Sequence, residues 1–254
     1  MADKTGIEWA EATWNPATGC TKVSTGCKYC YAERITKRLI KLRQPKYYNG
    51  FKYTEHENEI DKPLSWKKPR RIFVNSMSDL FHEDATDSFI DAVFKTMIRA
   101  DQHQYLILTK RPERMAEFVK SWFNKEGSFN ELPKHIWLGV SVETQQYVTR
   151  IDILRYIPCT IHFVSFEPLL GPIIHVNFQN IQWAIVGGES GSNHRPIEEW
   201  WVEDLHRQCR RSQVPFFFKQ WGGITSSANG RTLNGKIYDE YPSVNNVRGL
   251  QTIL

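Results

Sequence analysis

Residues 70–111, RRIFVNSMSDLFHEDATDSFIDAVFKTMIRADQHQYLILTKR, contain the pattern that decides the fold. The short apolar runs at 72–74 and 105–108 predict two buried strands. Between them, residues 84–100 place apolar side chains at helical spacing, which predicts an amphipathic helix. A strand, a helix and a second strand in this order predict a βαβ unit, whose two strands are parallel.

The same alternation continues along most of the chain. Further strands are predicted at 12–14, 136–142, 161–164, 183–186 and 214–218, and further helices at 32–42, 112–122, 144–155 and 197–211. The pattern favours an α/β fold, a complete or partial (β/α) TIM-like barrel with mainly parallel strands. A doubly wound open sheet is the alternative. We expect one domain over 1–254, with a basic, aromatic insertion at 34–71 and a C-terminal tail at 222–254.

Composition narrows the class of protein. The chain has 254 residues, of which 41% are hydrophobic, so it can bury a sizeable core. Its mean hydropathy is −0.50, and no apolar run approaches the roughly 20 residues of a membrane span. The N-terminal residues lack the apolar region of a secretory signal, so we expect a cytoplasmic protein. Five cysteines, an odd number, favour metal binding or catalysis over a disulfide framework.

The positive charge is concentrated in the insertion. Residues 34–71 contain twelve Lys and Arg against four Asp and Glu, so their net charge of +8 exceeds the +5 of the whole chain. Basic side chains neutralise phosphates and aromatic rings stack on bases, which predicts a nucleic acid or nucleotide substrate. The alternative is a solvated helix face followed by a polar insertion. The candidate contacts are Lys37, Arg38, Lys41, Arg43, Lys46, Tyr47 and Tyr48.

Three cysteines lie close together in GCTKVSTGCKYCYAE, residues 19–33. Cys20, Cys27 and Cys30 can converge on one metal or cluster. A cubane iron–sulfur cluster takes four ligands, so three thiolates leave one iron with an open position. A structural zinc site is the alternative, with Cys159 or Cys209 as its fourth ligand. Those two cysteines are predicted at the amino end of a strand and on an outer helix, which favours the cluster.

Polar residues follow most of the predicted strands. In parallel α/β folds, sites form at the carboxyl ends of the strands, so these residues are expected to share one rim. Individually, they also suit helix caps, tight turns or an ion-pair network. The rim residues are Ser76, Asp79, Thr109, Lys110, Ser141, Glu143, Glu167, Gly187, Gly188, Glu189 and Lys219.

Several blocks of the chain resemble a phage and bacterial family of unknown function that is known for a three-cysteine motif. They are IEWAEATWNP at 7–16, GCKYCYAE at 26–33, SFEPL at 165–169, GGESG at 187–191 and FFKQWG at 217–222. Together they cover nearly the whole length of the chain.

That family in turn resembles an outlying branch of the radical S-adenosylmethionine (SAM) enzymes. Those enzymes usually carry Cys-x3-Cys-x2-Cys after the first strand of a partial barrel, with an aromatic residue before the last cysteine. Tyr29 matches that aromatic, whereas six residues rather than three separate Cys20 from Cys27. The Gly-Gly-Glu triplet that often binds the SAM amino group there follows the second strand, while here Gly187-Gly188-Glu189 follows the sixth.

The resemblance implies an enzyme with a [4Fe–4S] cluster and SAM. It would generate a 5′-deoxyadenosyl radical that abstracts hydrogen from a substrate, as in nucleic acid modification. An external electron donor is implied, and a partner protein is an open candidate. The implied cofactor-binding residues are Tyr29, Ser76, Asp79, Thr109, Lys110, Ser141, Glu143, Gly187 and Gly188, and the candidate catalytic residues are Glu167, Glu189 and Lys219. The competing interpretations are a zinc-dependent hydrolase and a nucleic-acid-binding protein with a structural zinc.

Overall fold

Seven strands form one sheet in the computed structural model, which describes residues 5–127 and 130–243. The strands are β1 (Ala12–Trp14), β2 (Arg71–Val74), β3 (Gln104–Thr109), β4 (Ile136–Ser141), β5 (His162–Phe166), β6 (Trp183–Gly187) and β7 (Phe216–Gln220). They stand in the sheet in chain order, and every neighbouring pair is parallel. The sheet curls into a half-barrel, and within the described ranges β1 and β7 do not pair. The fold is therefore a partial (β/α) barrel, which confirms the predicted class.

Helices connect most of the strands. They are α1 (Tyr31–Lys41), α2 (Asp87–Arg99), α3 (Pro112–Glu126), α4 (Thr149–Leu154) and α5 (Glu199–Arg211). They follow β1, β2, β3, β4 and β6, while the connection from β5 to β6 has no helix in the part of the chain that is described. No helix among the described residues is both long enough and apolar enough to cross a membrane.

Several helix boundaries differ from the sequence prediction; α3, for example, runs to Glu126 rather than 122. Two of the differences have a clear local cause. α2 begins at Asp87 rather than 84, because the Thr86 hydroxyl caps it by accepting a hydrogen bond from the Phe89 amide at 3.2 Å. The single helix predicted at 144–155 is wrong in its first half, which is a 3₁₀ turn at Gln145–Tyr147 before α4 begins. The residues at that junction are β-branched, and such residues are weak helix formers.

Alternate residues of the strands contribute to two different cores. One set packs beneath the helices, as Val74, Val140 and Phe218 do. The other set fills the helix-free, inner face of the sheet. Its largest members are Trp9, Phe73, Trp137, Phe163, Trp183 and Phe217. The concave side of the half-barrel is therefore packed with aromatic rings at its base.

The same two-residue period determines which polar residues face inward at the carboxyl ends. Lys219 follows the inward-facing Phe217 by two positions, and Glu167 follows Phe163 by four. Because side chains alternate between faces along a strand, both continue the inner row. The half-barrel thus has an aromatic base and a charged mouth.

The insertion and the described part of the tail pack against the barrel and contribute only two-residue strands; in the tail, Thr232–Leu233 pairs with Lys236–Ile237. Within the insertion at 34–71, the two-residue strand Thr54–Glu55 pairs with Ala17–Thr18. In the tail, the carbonyl of Tyr238 accepts a hydrogen bond from the Phe218 amide of β7 at 2.9 Å. Residues 244–254 of the predicted tail lie outside the described residues.

His103 is a buried histidine that the fold holds in its neutral form. Its residue is 2% exposed, Nε2 lies 3.1 Å from the carbonyl oxygen of Pro63, and buried Nδ1 has no hydrogen-bond partner among the described residues. Burial lowers the pKa of His103 below its ordinary value, and the positive charge of Arg70 adds to that effect. A proton on Nδ1 would have no acceptor.

We therefore expect the protein to lose stability as the pH falls below about 7. The unfolded chain, whose histidine pKa is near 6.5, takes up a proton that the folded state resists. The contribution is complete above that pKa and is lost as the pH falls toward the lowered folded pKa. Urea unfolding of the wild type and of His103→Gln measures it. An identical pH dependence in the two proteins would contradict the assignment.

Candidate functional site

The three predicted cysteines lie on one loop at the carboxyl end of β1. Cys27 ends a 3₁₀ turn at Thr25–Cys27, and Cys30 is the N-cap residue of α1. All three thiols are free of disulfide bonds and partly exposed. The structure thus brings the three sulfurs into one neighbourhood beside the mouth of the half-barrel.

Cys20 lies against a buried ion pair. The guanidinium Nη1 of Arg111 is 3.6 Å from Cys20 Sγ and 3.2 Å from Asp79 Oδ2, and its Nη2 donates to Thr21 Oγ1 at 2.7 Å. Burial, reinforced by the charge of Asp79, raises the pKa of the Cys20 thiol to about 11, and Arg111 opposes that shift. Arg111 therefore provides a positive charge and an N–H donor where a thiolate ligand would lie.

Asp79 is fully engaged by this network. Its Oδ1 accepts from the hydroxyl of Thr109 at 2.7 Å and from the amide of Phe81 at 3.0 Å, and its Oδ2 also accepts from the amide of Lys110 at 3.2 Å. With Arg111, four donors surround a carboxylate that is 6% exposed. Asp79 therefore fixes the turn between β3 and α3, and its contact with SAM stays a prediction.

Glu143 is the second buried carboxylate beneath the cysteine loop. The residue is 0% exposed; its Oε1 accepts from Ser24 Oγ at 2.6 Å and Lys110 Nζ at 2.8 Å, while its Oε2 accepts from Arg150 Nη1 at 3.0 Å. Burial alone would raise the pKa of this carboxyl, but Lys110, helped by Ser24 and Arg150, holds it below its usual range. Glu143 is therefore an ionised carboxylate in the folded protein.

Gly26 lets the cysteine loop approach Glu143 closely. A Cβ at this position would lie 2.5 Å from Glu143 Cγ and Oε1. The loop residue Ser24 donates to the same carboxylate, so the segment between Cys20 and Cys27 rests directly on Glu143. Cys30 also lies near this cluster: burial raises the pKa of its thiol, and the charge of Lys110 acts in the opposite direction.

Two further ion pairs cross the mouth. Lys219 Nζ is 3.0 Å from Glu167 Oε1, and Ser165 Oγ donates to Glu167 Oε2 at 3.0 Å. Glu189 accepts from the Arg195 guanidinium at 2.6 and 2.9 Å, and Arg195 Nη1 also donates to the carbonyl of Thr25 at 3.0 Å. Glu167, after β5, is thereby tied to strand β7, and the loop after β6 is tied to the cysteine loop.

Two aromatic residues frame the last cysteine. The Tyr29 ring lies 5.1 Å from Lys28 Nζ and 5.3 Å from the Arg195 guanidinium carbon, both measured to the ring centroid. The hydroxyl of Tyr31 donates to the carbonyl of Ser76 after β2. Besides burial, the negative charges of Cys30 and Glu167 raise the pKa of this hydroxyl. Burial raises the pKa of Tyr31, so this phenol stays protonated as a donor.

The donor chemistry of the loop fits a thiolate-bound cluster. It offers three unpaired thiols, with Arg111 beside Cys20 and Lys110 near Cys30. No group of three or more His, Cys, Asp or Glu side chains in residues 5–127 and 130–243 is arranged to hold a metal ion. A cubane cluster distributes its thiolates over separate irons, whereas a zinc ion takes its ligands at a single centre.

Cys159 and Cys209 lie apart from the loop. The thiol of Cys159 donates to the carbonyls of Ile136 and Ile161 at 3.3 Å, at the amino end of the sheet. Cys209 is 0% exposed within α5. Both positions agree with the sequence prediction, so neither thiol is placed to complete a zinc site with Cys20, Cys27 and Cys30.

Comparison with known proteins identifies a family. The model of the family described as "Protein of unknown function (DUF5131)" matches residues 4–242. The chain belongs to this family. No curated protein and no solved structure matches it. Membership confirms the predicted family of unknown function only in that coarse form, and the link to the radical SAM enzymes stays a prediction.

In this DUF5131 protein the Gly187-Gly188 pair makes room for protein atoms. A Cβ on Gly188 would lie 2.1 Å from the carbonyl oxygen of Trp221, and one on Gly187 would lie 2.7 Å from Glu167 Oε1. The glycines therefore allow β6 to approach β7 and Glu167. A close approach to a ligand is not needed to explain them.

The remaining predicted cofactor residues are engaged mainly with the protein. Ser76 Oγ donates to Asn15 Oδ1 at 3.2 Å, and the Ser141 carbonyl accepts from Arg150 Nη1 at 2.8 Å. Ser141 is 4% exposed.

The predicted nucleic-acid contacts divide into two groups. Lys37, Arg38, Lys41, Arg43 and Tyr48 are exposed. Lys46 instead turns inward: its Nζ donates to the carbonyl of Asn15 at 2.5 Å and lies 3.3 Å from Glu59. Tyr47 is half-buried, and burial raises its pKa. The assignment of Lys46 to phosphate binding is therefore corrected to a structural ion pair.

Sequence reasoning missed Ser24 and Arg150 as parts of the site. Ser24 contacts Glu143 across 119 residues, a distance that no local pattern reveals. Arg150 did leave a signal, because it lies among the apolar residues of α4 where an exposed cation would not be expected. A charged residue inside an apolar stretch indicates a buried partner.

Proposed function

We propose that this DUF5131 protein is an iron–sulfur enzyme of the radical SAM type. Its cluster would be a [4Fe–4S] centre held by Cys20, Cys27 and Cys30. The observation that carries the proposal is three unpaired, partly exposed thiols on the loop after β1 of an open parallel barrel. Arg111 and Lys110 support it, because their positive charges oppose the rise that burial causes in the pKa of the Cys20 and Cys30 thiols.

The chemistry that such a cluster supplies with SAM is one-electron reductive cleavage of the sulfonium, which yields methionine and a 5′-deoxyadenosyl radical able to abstract hydrogen. The contribution of the chain is to hold and shield the reactants. Arg111 donates toward Cys20. Glu143, beneath the cysteine loop, accepts hydrogen bonds from Ser24 of that loop and from Lys110. The aromatic base formed by Phe163, Trp183 and their neighbours excludes water from the inner face.

The substrate side is proposed at the Lys219–Glu167 pair. Lys219 is 19% exposed and Glu167 is 14% exposed at the side chain, so both can be reached from the mouth. A substrate carboxylate or phosphate would compete for Lys219, and a hydroxyl or amine would donate to Glu167. Glu189, held by Arg195, would then position the loop after β6. The electron comes from an external donor in this proposal.

Anaerobic purification followed by metal and sulfide analysis tests the proposal. We expect about four iron and four acid-labile sulfide per chain, and loss of both in the Cys20→Ala/Cys27→Ala/Cys30→Ala variant. The matched control is Cys159→Ala/Cys209→Ala, which removes two thiols outside the loop and should retain the iron. With reductant and SAM, release of 5′-deoxyadenosine is the second readout.

The alternatives correspond to other results of the same experiment. One zinc per chain without sulfide would overturn the proposal and support a zinc-dependent hydrolase or a structural zinc. A full complement of iron and sulfide without SAM cleavage would restrict the function to electron transfer or sensing. If the triple cysteine variant retained its iron, the cysteine loop would not be the site that binds the cluster.

A further inference from the structure

Helix α1 exposes most of its surface. Only Ala32 and Thr36 are buried among its eleven residues, whereas α2 buries six of its thirteen. Apolar side chains also face solvent, with Ile40 43% exposed and Leu42 58% exposed. A helix that served only to cover the sheet would turn these residues inward. α1 therefore presents an unpartnered surface beside the cysteine loop.

This surface has a strong positive charge. Residues 34–48 contain six Lys and Arg and no Asp or Glu. Lys37 and Lys46 are paired with Glu33 and Glu59, at 3.0 and 3.3 Å. Arg38, Lys41 and Arg43 make no side-chain hydrogen bond or ion pair with the described residues. An uncompensated row of cations attracts a polyanion.

An exposed aromatic ring accompanies the cations. Tyr48 is 76% exposed, at the end of the turn that follows α1. A ring with so little packing of its own offers a face on which a base can stack. Bases in a duplex are already stacked on one another, so this combination fits a single strand better than a double helix.

The surface leads directly to the candidate site. Cys30 is the N-cap residue of α1, and one turn later Arg34 Nη1 donates to the carbonyl of Ser190 at 3.0 Å, after β6. A strand lying along α1 would therefore reach the mouth beside Cys30. Arg34 has one neutral acceptor here, which a phosphate oxygen can replace.

We propose that α1 and the turn through Tyr48 form a binding surface for single-stranded nucleic acid. Arg34, Arg38, Lys41 and Arg43 contact phosphates, and Tyr48 stacks on a base. The strand's role as substrate rests on the proposed radical SAM function, whereas its binding does not. Single-stranded nucleic acid is thus the substrate class that we assign to the site at the mouth of the half-barrel.

The test is fluorescence anisotropy of the cluster-free wild-type protein with a labelled RNA or DNA single strand of about 15 nucleotides. With four phosphates neutralised, we expect affinity to fall about fifty-fold between about 50 and 200 mM salt. Arg38→Glu/Lys41→Glu should weaken binding at least about tenfold and flatten the salt dependence. Tyr48→Ala should weaken binding about tenfold with the salt dependence unchanged.

The matched control is Lys120→Glu/Lys236→Glu, which reverses two exposed cations on α3 and in the tail. Equal losses in the two double variants, or affinity that ignores salt, would overturn the proposal. Tighter binding of a duplex would overturn the single-stranded assignment. Binding to vesicles containing anionic lipid in place of the oligonucleotide would assign this amphipathic surface to membranes instead. The binding assay contains neither cluster nor SAM. If the strand binds here but SAM is not cleaved in the separate assay of the iron-containing protein, the radical function is refuted and the binding surface is not.

Discussion

Replacing Glu143 with Ala is expected to destabilise the protein by about 3–5 kcal/mol and to release the cysteine loop. The substitution leaves Lys110 and the buried Arg150 without the carboxylate that they share, and Ser24 loses its 2.6 Å acceptor. An uncompensated buried cation is far more costly than an exposed one. Urea unfolding measures the stability, and the rate of iodoacetamide alkylation of Cys27, read by mass spectrometry, measures the loop.

Two milder variants distinguish the effect on the position of the cysteine loop from the effect on the stability of the core. Glu143→Gln retains the shape and a side-chain acceptor but removes the charge, so the loop should stay closer to its position than in Glu143→Ala. Ser24→Ala removes the hydrogen bond to Glu143 and the 3.5 Å contact of Ser24 Oγ with Cys27 Sγ, with an expected loss of about 1 kcal/mol and faster alkylation of Cys27. If Ser24→Ala leaves the alkylation rate at the wild-type value, Glu143 does not position the loop.

The strands were the most predictable part of the fold. The apolar runs at 105–108 and 183–186 correspond to Gln104–Thr109 and Trp183–Gly187, each within one residue at either end. A strand covered on both faces must be apolar throughout, and few other elements of this length share that composition. The order of the strands then followed from their connections, because sequential βαβ units place neighbours side by side.

The break at the start of α4 was less predictable. Its residues have helical spacing, and the sequence therefore predicted one helix at 144–155. In the structure, the side-chain oxygen of Gln145 accepts from the amide of Ile174 at 2.8 Å, which holds the first turn against a distant loop. A contact with another part of the chain thus determines a local boundary, and propensity alone does not report it.

The position of the candidate site was predictable, but its pairings were not. Parallel strands put Lys110, Glu143, Glu167 and Lys219 on one rim, as the sequence indicated. Which cation faces which carboxylate depends on the curl of the sheet and on the path of the cysteine loop. Lys46 illustrates the limit, because counting charges assigned it to a phosphate while the fold pairs it with Glu59.

The two buried carboxylates have different effects on the thiols. Glu143 acts on the backbone of the cysteine loop through Ser24, whereas Asp79 acts on Cys20 through charge and through Arg111. A ligand loop that is held in position before metal binds loses less conformational entropy on binding. For the cluster proposed above, Glu143 and Asp79 would therefore preorganise the cysteine loop without being ligands themselves.

Asp79→Ala is expected to destabilise the protein by about 3–5 kcal/mol while making Cys20 more reactive. The substitution removes the acceptor of four hydrogen bonds and leaves Arg111, which is 9% exposed, without its carboxylate partner. Because the charge of Asp79 raises the pKa of Cys20, its removal lowers that pKa and increases the thiolate fraction at about pH 8. Alkylation of Cys20 should then accelerate several-fold relative to Cys27.

A double-mutant cycle with Arg111→Met decides whether the ion pair is the cause. If the loss in Asp79→Ala comes from the uncompensated guanidinium, the double variant should recover part of it, with a coupling of about 1–3 kcal/mol. The faster alkylation of Cys20 should also disappear, since Arg111 is the cation that stabilises its thiolate. Additive losses with alkylation still accelerated would instead assign the effect of Asp79 to the β3–α3 turn that it caps.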